Sequence, residues 1–121
     1  MDMDKIKRGD ILLVSLPSDK MGGSVQGGTR YCIVVSNNLG NKYSTVLEVI
    51  PLTSSQTKRI LPTHLWIEGF GLKKKSLVLA EQITTISKMR VIKKIGSIDD
   101  DKIIKEINIM PYHTLGNAKR E

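Results

Sequence analysis

The sequence predicts a small, mostly antiparallel β barrel followed by one helix near its C-terminal end. Three observations lead there. The apolar stretches are short and rich in branched residues, turn signals separate them at regular intervals, and helical periodicity begins only after residue 97. A chain of 121 residues has room for one domain, with the barrel over about residues 6–95 and the helix over about 98–110.

The apolar stretches cover residues 11–14, 31–35, 45–50, 64–67 and 76–80. Thr45-Val46-Leu47-Glu48-Val49-Ile50 mixes β-branched residues with partial alternation, as half-buried strands do. Lys7-Arg8-Gly9-Asp10 precedes the first stretch, Asn37-Asn38-Leu39-Gly40-Asn41 separates the second from the third, and Gly69-Phe70-Gly71 precedes the fifth. All three segments carry turn chemistry. Ser97-Ile98-Asp99-Asp100 offers an N-cap serine with acids in the first turn. Ile98, Ile103, Ile104 and Ile107 then form a stripe at helical spacing, Pro111 is expected to end it, and a polar tail follows Tyr112.

Composition narrows the function classes. At 40% hydrophobic and 26% charged residues, the chain fits neither a disordered tail nor a bundle of membrane spans. No apolar run approaches the roughly 20 residues that cross a bilayer. The first residues start with acids and lack a following apolar run, so they do not read as a secretory signal. The single cysteine, Cys32, cannot form an internal disulfide and sits in an apolar run, where it reads as a buried, inert thiol. A cytoplasmic protein is expected.

Nineteen Lys and Arg against twelve Asp and Glu leave a net charge of +7. That excess suits a polyanionic partner, either nucleic acid or an acidic protein segment. Residues 73–94 hold Lys73, Lys74, Lys75, Lys88, Arg90, Lys93 and Lys94 against Glu81 alone. One Phe, one Trp and three Tyr are too few for a broad base-stacking platform.

One loop stands apart from the barrel. Between the first two strands lie Gly22-Gly23-Ser24-Val25-Gln26-Gly27-Gly28-Thr29-Arg30, with four glycines in seven residues. The run partly imitates a phosphate-cradling loop, but it lacks the lysine and leads into a strand where a helix is needed. His64 and His113 stand apart from any carboxylate or thiolate cluster, so neither a metal site nor another cofactor site is expected. A serine-type triad is not legible either. Arg30 remains, at the junction of the glycine loop and the second strand. Its planar fork suits phosphate, although spacing alone favours an ordinary surface cation. Thr53-Ser54-Ser55-Gln56, just past the third strand, supplies hydroxyls and an amide at the expected barrel rim.

Six segments occur in a telling order: Arg8-Gly9-Asp10-Ile11, Gln26-Gly27-Gly28-Thr29-Arg30, Asn38-Leu39-Gly40-Asn41-Lys42, Leu52-Thr53-Ser54, Leu61-Pro62-Thr63-His64 and Glu81-Gln82-Ile83-Thr84-Thr85-Ile86. Together they resemble the MazF/PemK family of toxins, the mRNA interferases of type II toxin–antitoxin modules. Each segment is weak alone; their order and spacing carry the resemblance. It implies an SH3-like barrel of the CcdB/Kid/MazF kind with a C-terminal helix, assembled as a homodimer. It also implies a metal-independent endoribonuclease that cuts single-stranded RNA at a short sequence and is held by an acidic, MazE-like antitoxin.

The family's catalytic arginine and threonine fall on Arg30 and Thr53. Its RNA channel falls on Ser24, Gln26, Gly27 and Gly28, on Leu61, Pro62 and His64, and on Glu81 and Gln82, with Ser54 and Gln56 beside them. His64 is expected to bind first and to act as an acid or base second. Two positions depart from the family pattern. Tyr31 stands where many relatives have proline, and Val25 where an acid is common. Both departures bear on the RNA sequence recognised. Two other functions fit the same fold class: a CcdB-like toxin that poisons DNA gyrase without cutting nucleic acid, and a catalytically silent RNA-binding barrel. The Gln-Gly-Gly-Thr-Arg loop argues against the gyrase poison, which lacks it.

Overall fold

The computed structural model describes residues 5–16, 28–54 and 65–114, with side chains as far as residue 109. Its elements are β1 (Asp10–Leu16), β2 (Gly28–Val34), α1 (Asn38–Tyr43), β3 (Val46–Thr53), β4 (Leu65–Ile67), β5 (Ser76–Val78), β6 (Thr84–Ser87), β7 (Val91–Ser97) and α2 (Asp101–Thr114). Every strand pairing is antiparallel, and the strand order is β4-β5-β3-β2-β1-β7, with β6 added on β3. Among the described residues the expected barrel does not close: the end strands of the sheet, β4 and β7, do not pair.

Apolar runs replace clean alternation because the central strands are covered on both faces. Ile11, Ile33, Ile50 and Leu52 point to one core, which Ile98 and Ile107 complete and against which Ile103 and Ile104 of α2 pack. Leu12, Cys32, Val34, Leu47 and Val49, on the same three strands, point to a second core with Ile6, Ile86 and Val91. The isoleucine stripe read from the sequence is thus the surface by which α2 covers the sheet. Among the described residues, no helix is long and apolar enough to cross a membrane.

The ends of α2 differ from expectation. It starts at Asp101, and Asp100 caps it by accepting from the backbone N–H groups of Lys102 (2.9 Å) and Ile103 (3.3 Å). Ser97 is the last residue of β7 instead. Its hydroxyl donates to the Asp10 carboxylate at 2.6 Å, across the β1–β7 ladder. Asp10 is buried and also accepts from the Lys7 backbone N–H at 2.8 Å, with the Lys94 ammonium 3.4 Å away. At the other end, α2 runs through Pro111 to Thr114. Pro111 thus lies within the last turn of α2 and does not end it, contrary to expectation.

Three further elements were not predicted. The segment read as an asparagine-rich turn forms α1, where the Asn37 side chain accepts from the Gly40 N–H at 2.7 Å. Buried Asn41 donates to the Ser36 carbonyl at 2.9 Å and closes the turn. Strands β6 and β7 carry β-branched residues but no unbroken apolar run, and pairing with β3 and β1 holds them in the sheet. The glycine loop before residue 28, the Leu61-Pro62-Thr63-His64 segment and the tail beyond residue 114 lie outside the described residues.

Candidate active site

The cleft of interest opens where β3 changes partners. Residues Val49, Ile50 and Pro51 pair with Val34, Ile33 and Cys32 of β2. One step later Leu52 and Thr53 pair with Val78 and Leu77 of β5, on the opposite edge of β3. The β2–β3 ladder stops at Cys32 and Pro51. Carried two residues further, the same register would set Arg30 opposite Thr53. A cleft of about 440 Å³ occupies this fork.

The cleft is lined by Thr29, Arg30 and Tyr31 from β2 and by Leu52, Thr53 and Ser54 from β3 and its end. Leu72, Lys73, Lys74 and Ser76 form the other wall. The floor is rigid, since Arg30 pairs with Val14 of β1 while Cys32 and Ile33, just behind it, are fully buried. Gly28 opens β2 with φ +98°, in the left-handed region that favours glycine, and it is exposed.

Electrostatics separate the site from the core beneath it. Cys32 is wholly buried, and desolvation pushes its thiol from 9.0 up to about 12; the nearby Arg30 charge pulls the other way without offsetting this. The inert thiol read from the sequence holds. Among the described residues no group of three or more His, Cys, Asp or Glu side chains could hold a metal ion.

Of the site residues expected from the sequence, Arg30, Thr53 and Ser54 meet in this cleft. Glu81 and Gln82 do not line it. They sit on a 3-10 turn, Ala80–Gln82, that follows β5, and both are exposed. Ser24, Gln26, Gly27, Gln56, Leu61, Pro62 and His64 lie outside the described residues. Lys73 and Lys74 were visible in the sequence only as part of a basic run. Their place in the cleft depends on β5 pairing with β3, which brings segment 72–76 alongside Thr53.

Known proteins identify the family to which this fold belongs. Residues 7–108 match the family model described as PemK-like, MazF-like toxin of type II toxin–antitoxin system. The chain is 38% identical over 102 residues to the endoribonuclease EndoA of Bacillus subtilis (strain 168), covering 83% of this chain and 86% of that one. It is 37% identical over 107 residues to the endoribonuclease MazF of Staphylococcus epidermidis, covering 87% and 88%. Among solved structures, MazF from Deinococcus radiodurans superposes with a TM-score of 0.70 at 20% identity, over 92% of this chain and 96% of that one. An endoribonuclease in complex with its cognate antitoxin, from a mycobacterial species, superposes with a TM-score of 0.70 at 23% identity, over 92% and 95%. By the family match and by these relatives, the chain belongs to the PemK-like, MazF-like toxins of type II toxin–antitoxin systems.

Proposed function

We propose that this toxin is a sequence-specific endoribonuclease that cuts single-stranded mRNA without a metal, with Arg30 and Thr53 as its catalytic pair. The observation that carries the reading is the shared cleft: a strand-anchored guanidinium and a hydroxyl border one open space flanked by further cations. The relatives at 37% and 38% identity are named endoribonucleases, which supports the reaction and disfavours a gyrase poison.

The reaction uses the substrate's own 2′-OH. Its oxygen forms a bond to the adjacent phosphorus and loses a proton, the bond from phosphorus to the 5′ oxygen breaks, and that oxygen gains a proton. The products are a 2′,3′-cyclic phosphate and a 5′-OH end. Negative charge grows on the non-bridging phosphate oxygens in the transition state, and a preorganised guanidinium is the donor that stabilises it. The Thr53 hydroxyl is too weak an acid to serve as an ordinary base; it hydrogen-bonds a phosphate oxygen or orients the 2′-OH.

The same reading includes a homodimer working in the cytoplasm and an acidic antitoxin segment that competes with RNA for the cleft. A related toxin is known in complex with its cognate antitoxin, and the +7 charge suits such a partner. Light scattering at micromolar concentration tests the dimer, and a monomer there removes it.

The deciding experiment incubates purified protein with a long RNA in excess EDTA. Discrete fragments with cyclic phosphate and 5′-OH ends are expected. A single 2′-deoxy substitution on the 5′ side of the cut bond should abolish cleavage and leave binding. Loss of activity in EDTA, or cleavage of the deoxy substrate at the same bond, overturns the mechanism.

A further inference from the structure

The wall of the cleft opposite β2 is cationic, and its position is fixed by the backbone. The turn before it has positive φ at both central residues, Phe70 (55°) and Gly71 (95°), and closes with the Leu72 N–H donating to the Gly69 carbonyl at 2.9 Å. Gly71 lies directly against the Ile95 carbonyl of β7, with no room for a side chain between them. At the far end the Ser76 hydroxyl donates to the Lys74 carbonyl at 2.9 Å, just as β5 begins. These ties fix where the backbone of residues 72–76 runs along the cleft.

Within this segment three consecutive lysines divide their roles. Lys75 carries its ammonium over the Trp66 ring, 5.5 Å from the centroid, and does not line the cleft. Lys73 and Lys74 do line it, with Arg30 on the facing side. Among the described residues, none of Arg30, Lys73 and Lys74 forms an ion pair. Three cations around about 440 Å³ repel one another, and an anion entering the cleft relieves that repulsion.

We propose that Lys73 and Lys74 are substrate-binding residues that hold the phosphodiester groups flanking the scissile one, whatever the bases attached to them. The proposal rests on the ribonuclease reading above and adds to it the grip on the neighbouring backbone. Lysine suits that task, since a compact ammonium on a flexible stem pairs with a phosphate oxygen without demanding one geometry.

The test measures binding of a short RNA that spans a bond the wild-type protein cuts and carries a 2′-deoxy sugar at that bond. Its affinity is followed against salt concentration. For the double variant Lys73→Gln/Lys74→Gln, binding at low salt should weaken roughly three- to tenfold. The slope of log affinity against log salt should flatten by about 1.4, near 0.7 for each lost phosphate contact on a single strand. Single-turnover cleavage should fall chiefly at subsaturating RNA, because the loss is in ground-state binding. Lys73→Arg/Lys74→Arg should restore the slope, and Lys75→Gln should leave it unchanged. A wild-type slope in the double glutamine variant, or a loss confined to the saturating rate, overturns the proposal. Failure of the wild-type protein to bind or cut RNA would instead overturn the ribonuclease reading itself.

Discussion

Arg30 and Thr53 stand on neighbouring strands at the point where those strands stop pairing. The register Cys32↔Pro51, carried two residues on, would join them; β3 turns instead to β5, and the two side chains border the resulting cleft. The fork thus makes the cleft and brings the two residues to it. Each residue is anchored by a ladder on its outer edge, Arg30 through Val14 of β1 and Thr53 through Leu77 of β5.

Replacing Arg30 with alanine should abolish cleavage and leave the melting temperature near wild type. Arg30 is only partly buried and is absent from both apolar cores, whereas loss of one electrostatic donor to a transition state costs on the order of 100-fold or more in rate. Thr53→Ala should slow cleavage less. Unchanged cleavage by Arg30→Ala, with normal melting, would mean that the site lies elsewhere.

Cys32 should resist alkylation in the folded protein at about pH 8, reacting only as fast as the chain unfolds. Its folded-state value, about 12, lies above the ordinary 9.0, so the folded protein holds the proton that the unfolded chain releases. The stability tied to this group is therefore full below pH 9 and is lost as pH rises towards about 12. Denaturant midpoints across that range should fall less steeply for Cys32→Ala than for wild type. Equal slopes would refute the assignment.

Gly96→Ala should destabilise the fold by on the order of 2 kcal/mol or more, although this glycine does not have positive φ. A Cβ there would collide with the Phe70 carbonyl group, which is backbone and cannot rotate away. Gly69→Ala makes the useful contrast. Nothing lies within 4 Å of its added Cβ, so only the cost of φ +91° remains, about 1 kcal/mol. Equal chemical denaturation midpoints for the two variants would show that contact between β7 and the turn does not limit stability.

Much of this organisation was legible in the chain. The first three strands, the turn at Gly69-Phe70-Gly71 and the isoleucine stripe of α2 all carry local signals that the structure keeps. Ser97 shows where local reading failed. A serine followed by acids looks like a helix cap, but a buried carboxylate 87 residues earlier, Asp10, takes its hydroxyl, and Asp100 caps the helix instead. Strands β6 and β7 were missed for a related reason. Exposed Thr84, Thr85, Lys93 and Lys94 interrupt the apolar runs there, while β3 and β1 supply the pairing that makes these segments strands.

By itself the sequence determined the antiparallel β class, the family and the inert cysteine, which rest on residue type and local order along the chain. Its resemblance to the family, rather than spacing, named Arg30 and Thr53 together as site candidates. Only the tertiary structure decided that the end strands of the described sheet do not pair, that Arg30, Thr53 and Ser54 share a cleft from which Glu81 and Gln82 are absent, and that Lys73 and Lys74 form its far wall while Lys75 turns to Trp66. Those outcomes depend on which strand pairs with which edge of β3. That choice is made by contacts between residues distant in sequence, and no local pattern of charges or apolar positions encodes it.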